Sequence, residues 1–129
     1  MPHHPGASIE DLGQLLHDAW LDADTMERRG TELRISGYHE RSAGGLQRGR
    51  FPVELCATNV TSVRFEDDAR LGGIEVCTVR STSPVGGVLV EGCIPATLEL
   101  LGDDVRCSVT IADLPSETRR PFGRWRRVD

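Results

Sequence analysis

Along most of this chain, apolar and polar residues alternate rather than recur at helical spacing. Val105, Cys107, Val109 and Ile111 are separated by Arg106, Ser108 and Thr110. A period of two places one set on each face of a strand, one face buried and one wet. Thr97, Leu98, Glu99 and Leu100 repeat the pattern one segment earlier, and Gly102-Asp103-Asp104 between the two segments is turn chemistry. The pair reads as a hairpin with Leu100 beside Val105. Val88-Leu89-Val90 is a continuous apolar run, as in a strand covered on both sides. Pro95 cannot donate to a ladder, so it marks a break between Cys93 and Thr97.

Upstream the same alternation recurs. Leu33 and Ile35 share a face within residues 31–39, and Phe51, Val53, Leu55 and Ala57 share one in the next strand. Val63 and Phe65 suggest another, Asp67, Asp68, Gly72 and Gly73 mark a turn, and Ile74 to Arg80 is a further strand. Residues 40–50, rich in Gly and Arg, read as the longest loop, and residues 81–87 as a second loop with Pro and Gly punctuation.

One stretch has helical spacing. Ile9, Leu12, Leu15, Leu16, Ala19 and Trp20 fall on one face. Ser8 with Asp11 has the form of a capping box, and Glu10 and Asp11 suit the positive end of a helix. The pattern predicts a helix from Ser8 that fades between Leu21 and Asp24, with Trp20 as its largest anchor.

One helix followed by a run of strands is an α+β pattern. The expected fold is an N-terminal amphipathic helix packed on a twisted antiparallel sheet of about five to seven strands, with a partly closed roll as the variant. Residues 1–7 read as a disordered lead, residues 8–114 as a single α+β domain and residues 115–129 as a basic aromatic C-terminal tail. Pro115 and Pro121 oppose a continuous strand or helix in that tail.

Composition adds two points. All 15 basic residues are arginine, a bias that a GC-rich bacterial genome produces without any physical requirement. The net charge is −5, and it is unevenly placed. Glu10, Asp11, Asp18, Asp22, Asp24 and Glu27 precede the first arginine, whereas arginines dominate residues 28–50 and 119–127. The overall acidity argues against non-specific nucleic-acid binding but leaves a local basic patch open. No secretory pattern opens the chain and no run is long enough to span a bilayer, so a cytoplasmic protein with no membrane contact is expected.

The candidate chemistry is sparse. Cys56, Cys77, Cys93 and Cys107 lack the close pairs of a structural zinc motif, so they read as small buried hydrophobes. No metal and no cofactor is implied. His4 would stand third after loss of Met1, a placing that can chelate copper or nickel. His17-Asp18 is the most enzyme-like pair, but adjacent helical residues point about 100° apart and do not face each other. Tyr38 and His39 point to opposite faces of a strand. Nucleophile-elbow, P-loop and dinucleotide motifs are absent, so no catalytic residue is named.

The tail is the most distinctive stretch. Phe122, Arg124, Trp125, Arg126 and Arg127 mix aromatics with arginine, the residue types that anchor interfaces. The leading expectation is a non-enzymatic protein-interaction or regulatory domain, with a protein partner or self-association. Two alternatives stand beside it. One is a nucleic-acid accessory protein using Arg41, Arg48, Arg50, Arg119, Arg120, Arg124, Arg126 and Arg127, with stacking on Phe122 and Trp125. The other is a small-molecule-binding protein or enzyme with a site near His17 and His39.

Overall fold

The computed structural model describes residues 3–82 and 86–128, and side chains from Gly6 onward. In chain order the elements are β1 (His3–Ala7), α1 (Ile9–Leu16), β2 (Trp20–Arg29), β3 (Glu32–Gly44), β4 (Gln47–Thr58), β5 (Ser62–Asp67), β6 (Gly73–Ser81), β7 (Val88–Gly92), β8 (Ala96–Leu101), β9 (Arg106–Ile111), β10 (Glu117–Arg119) and β11 (Arg126–Arg127). Strand accounts for 62% of the chain and helix for 7%, which overturns the α+β expectation. The eleven strands form one open antiparallel sheet rather than a sheet of five to seven beneath a helix. Its order is β1-β9-β4-β3-β2-β6-β7-β8-β5, with β10 and β11 attached beside β4.

The helix is too short to cover such a sheet. It runs for 8 residues and buries only Leu12 and Leu16. The sheet therefore covers itself. Ile35, Leu55 and Val109 from one arm share a single buried cluster with Val76, Val90 and Leu98 from the other. Each such side chain removed from water contributes about 1.5–3 kcal/mol, so the alternating pattern is what holds the two arms together.

Two connections carry the chain between the arms, β4 to β5 and β8 to β9. Residues 97–111 are therefore not a hairpin. β8 lies between β7 and β5, while β9 lies between β4 and β1. The Asn59 side-chain amide donates to the Asp104 carbonyl at 2.9 Å, and the Thr61 amide donates to the Leu101 carbonyl at 2.8 Å. These bonds lace the two crossings together. Gly102-Asp103-Asp104 is still turn chemistry, but the turn changes arms.

Three further expectations change. The helix stops at Leu16 because Asp18 takes φ 64 and turns the chain into β2. Ala19 and Leu21 are both fully buried, so they satisfy a period of two as well as a helical one, and Trp20 pairs with Tyr38 and Glu75 across the sheet. Residues 40–50 are not a loop. β3 runs to Gly44 and β4 starts at Gln47, with Ser42 opposite Arg48 and Glu40 opposite Arg50. This hairpin tip shows little hydrophobic alternation, and Gly44 and Gly45 turn it with positive φ. Finally, His3–Ala7 pairs with β9 where an unordered lead was expected. Part of the 81–87 loop lies outside the described residues.

β2 and β3 approach very closely at Gly37. A Cβ there would run into the Trp20 carbonyl and lie 2.9 Å from the Leu21 Cα. Gly37→Ala is expected to lower stability by about 1–3 kcal/mol, because backbone rather than a flexible side chain must yield. Gly13 in α1 has nothing within 4 Å of its would-be Cβ, so Gly13→Ala is expected to raise stability by up to about 1 kcal/mol. Urea unfolding of the two variants checks both signs.

Candidate partner-binding face

The tail is part of the sheet. β9 covers β4 from Val53 to Thr58, and β10 takes over further along, with Glu117 opposite Arg50, Thr118 opposite Gly49 and Arg119 opposite Arg48. β11 returns along β10, placing Arg127 opposite Glu117 and Arg126 opposite Thr118. The two arginine-rich segments that are far apart in sequence are thus neighbours in space.

Arg50 fastens them. Its guanidinium carbon lies 4.4 Å from the Tyr38 ring centroid and 4.1 Å from that of Trp125. Its Nη1 donates to Glu117 Oε2 at 3.1 Å. Arg119 approaches the same indole at 5.1 Å and donates to Glu40 Oε1 at 3.3 Å. Ring faces replace water over a cation without asking for a hydrogen bond, which suits a half-buried guanidinium. Trp125 is therefore a staple between β4 and β10 rather than an exposed anchor.

This sorts the arginines of the two segments. Arg41 stacks on Phe51 at 4.1 Å, and Arg48 donates to the Glu40 carbonyl at 3.0 Å. Among the described residues, Arg120, Arg124, Arg126 and Arg127 enter no ion pair and are exposed. Arg119, Arg120, Arg124 and Arg126 line an open groove of about 390 Å³ together with Gln47, Thr118 and Gly123. Phe122 stands in the turn between β10 and β11, which is closed by the Gly123 amide donating to the Arg120 carbonyl at 2.8 Å. Pro121 followed by a residue at positive φ gives that turn the φ signs of type II. Phe122 has φ 62 and is fully exposed. A bulky residue held in that region costs about 1–3 kcal/mol, which marks the position as one to explain.

The histidines lie elsewhere. His39 Nε2–H donates to the Leu15 carbonyl at 2.7 Å and ties α1 to β3. His17 caps the C-terminus of α1, and its Nδ1–H donates to the Cys77 carbonyl at 3.1 Å. His17 and Asp18 do face each other, at 3.6 Å between Nε2 and Oδ2, because Asp18 has left the helix. The cysteines are not uniformly buried. Cys107 is, Cys56 and Cys77 are half-buried and Cys93 is exposed. Cys93, Asp18 and Glu75 place one ligand atom each within 4.8 Å of one another. Sequence reasoning missed this group, since its members come from three separate segments. The usable signal was the β6–β7 pairing, which sets Val76 opposite Gly92 and so brings Glu75 beside Cys93.

No described helix is long and apolar enough to cross a membrane. Comparison of the chain with protein-family models, with curated proteins and with solved structures gives no match.

Replacing Trp125 by Ala is expected to release β10 and β11 while leaving the core folded. Hydrogen exchange should quicken by about tenfold or more at the amides of residues 116–128, the loss of two cation–π contacts, with core amides unchanged. A second expectation concerns Cys107, whose thiol burial pushes up to about 12 from an ordinary 9.0, with Cys56 adding a smaller push. Between those values the unfolded chain holds fewer protons than the folded one, so stability falls as pH rises, by up to about 1.4 kcal/mol per pH unit. Urea unfolding of the reduced protein at pH 8 and pH 10 should show this decline, and Cys107→Ala should reduce its slope.

Proposed function

We propose that the chain is a non-enzymatic protein-interaction domain that grips an acidic, apolar-bearing segment of a protein partner with the face built on β4, β10 and β11. The observation that carries this reading is Phe122, fully exposed at φ 62 beside a groove of Arg119, Arg120, Arg124 and Arg126. The groove supplies planar, multidentate donors for carboxylates, and the phenyl ring supplies the apolar contact at its rim. Strain at an exposed ring is kept where the ring has work to do in a complex.

Nucleic acid is the weaker reading. Single-stranded nucleic acid needs free ring faces in series. Trp125 already stacks with Arg50 and Arg119, and Tyr38 with Arg50, which leaves Phe122 as the free ring of this face. The net charge of −5 also repels a long polyanion more than a short acidic segment. The reading places the protein in the cytoplasm, where thiols stay reduced, and gives His17 and His39 no catalytic step.

Fluorescence anisotropy with a labelled peptide of alternating Glu and Leu tests it. Binding should weaken steeply with salt, and Arg124→Glu and Arg126→Glu should each reduce it by about tenfold or more. Phe122→Ala should reduce it at high salt as well, where the charge contribution is screened. An oligodeoxynucleotide of equal charge that binds more tightly than the peptide would move the reading to nucleic acid. Binding to neither at low salt would end it.

A further inference from the structure

The charged side chains of the sheet are mostly neutralised in pairs. Glu32 and Glu54 meet Arg34, Glu99 meets Arg64, Glu91 meets Arg80 and Asp104 meets Arg106. The groove between the β4 tip, β10 and β11 departs from this. Arg119, Arg120, Arg124 and Arg126 line its space of about 390 Å³, and no acidic residue is among those that line it. The acids of this part of the sheet, Glu40 and Glu117, are already held by Arg119 and Arg50. Arg119 itself is only partly satisfied. Its Nη2 donates to Glu40 at 3.3 Å, but its Nε–H is buried with no hydrogen-bond partner among the described residues. A buried donor left unmet is a cost that a bound acceptor removes.

The arginines stand on a fixed frame rather than on a loose tail. The Val128 amide donates to the Ser116 carbonyl at 2.9 Å, and the Ser116 amide donates to the Arg50 carbonyl at 2.9 Å, so the base of the β10–β11 hairpin is closed and tied to β4. At the tip, the Gly123 amide closes on the Arg120 carbonyl. Arg126 is opposite Thr118, which puts a guanidinium and a hydroxyl on one face of the pair. Donors whose backbone is fixed before binding lose less freedom when a ligand arrives.

Resting on the reading of this face as a partner-binding one, we propose that its groove recognises a phosphomonoester, so that the partner segment is read through a phosphorylated serine or threonine. Arg120, Arg124 and Arg126 offer forks to the phosphoryl oxygens, and the Arg119 Nε–H and the Thr118 hydroxyl are further donors. A short phosphorylated side chain keeps the segment low enough for an apolar neighbour to reach Phe122, which lies between Arg120 and Arg124 in the turn. Donor count decides between phosphate and carboxylate. A carboxylate carries one charge on two oxygens, and one arginine fork satisfies it. A phosphomonoester carries about −1.5 to −2 on three terminal oxygens, which engages several forks at once. Two carboxylates crowded into a space roughly 7 Å across would repel each other instead. The net charge of −5 does not oppose this. A compact dianion in the groove lies within about one Debye length, roughly 8 Å, of the four arginines, and charges farther away are screened.

The test uses the full chain and three labelled peptides of alternating Glu and Leu that differ at one central position, which is serine, glutamate or phosphoserine. By fluorescence anisotropy the phosphoserine peptide should bind about tenfold or more tighter than the glutamate peptide. Inorganic phosphate should displace it at concentrations where acetate of equal ionic strength does not. Arg120→Lys, Arg124→Lys and Arg126→Lys keep the charge but lose the fork, so each should shrink the preference for phosphoserine over glutamate by about threefold or more. All three positions are exposed, and circular dichroism of each variant reports whether it is folded. Equal affinity for the phosphoserine and glutamate peptides would overturn the phosphate assignment and leave the partner-binding face standing. Lysine variants that keep the full preference, or phosphate that competes no better than acetate, would do the same. Binding of no peptide at low salt would end both readings. An oligodeoxynucleotide of equal charge that binds more tightly than the phosphoserine peptide would also overturn the assignment, moving the groove to nucleic-acid phosphodiesters.

Discussion

A broad sheet with one apolar face has to bury that face, and the described residues offer only a short helix. Everything else follows from that shortage. The sheet folds its arms over a shared core, and the two connections between arms become structural members rather than surface loops. That is why Asn59 and Thr61 bond to the β8–β9 crossing. α1 is left with a local task, capping the core with Leu12 and Leu16 while His39 holds its last turn.

The same constraint shapes the polar chemistry. Where β3 and β4 extend past the reach of β9, stacked guanidinium groups and the returning tail take over from apolar packing. Where α1 turns into β2, Asp18 at positive φ is brought against a bulged strand that carries Glu75 and Cys77. The candidate partner-binding face sits at such a place, where a strand meets something other than a regular neighbour.

Period-two patterns were readable in sequence wherever a strand has one buried face, as in Val105–Ile111, Phe51–Ala57 and Ile74–Arg80. The β3–β4 tip was not, because its strands carry little buried surface and are held by backbone pairing. Ala19 and Leu21 fit two periods at once, and only the turn at Asp18 chooses between them. The partner of β8 was invisible because β5 and β9 offer equally suitable alternating faces, and the choice rests on which arm the Gly102–Val105 turn enters. For the tail, residue types gave the right neighbourhood but not the division of labour. Nothing in the order Phe122, Arg124, Trp125, Arg126 says that the indole faces inward and the phenyl outward. The thiol–carboxylate group escaped a search for closely spaced cysteines, since its proximity is made by register.

The pairing of β1 with β9 joins Thr110 to His3. β9 is itself the partner of β4, and β5 to β8, which lie between them in sequence, all belong to the other arm. During synthesis the first strand therefore has no place to dock until nearly the whole domain has been made. Until then one edge of β4 and the inner face of its arm stay uncovered. Pairings this distant in sequence close large loops, which slows folding relative to hairpin-by-hairpin assembly. A chain of this topology spends its nascent life as an unfinished sheet, and its exposure to aggregation is set by the arrival time of a single six-residue strand.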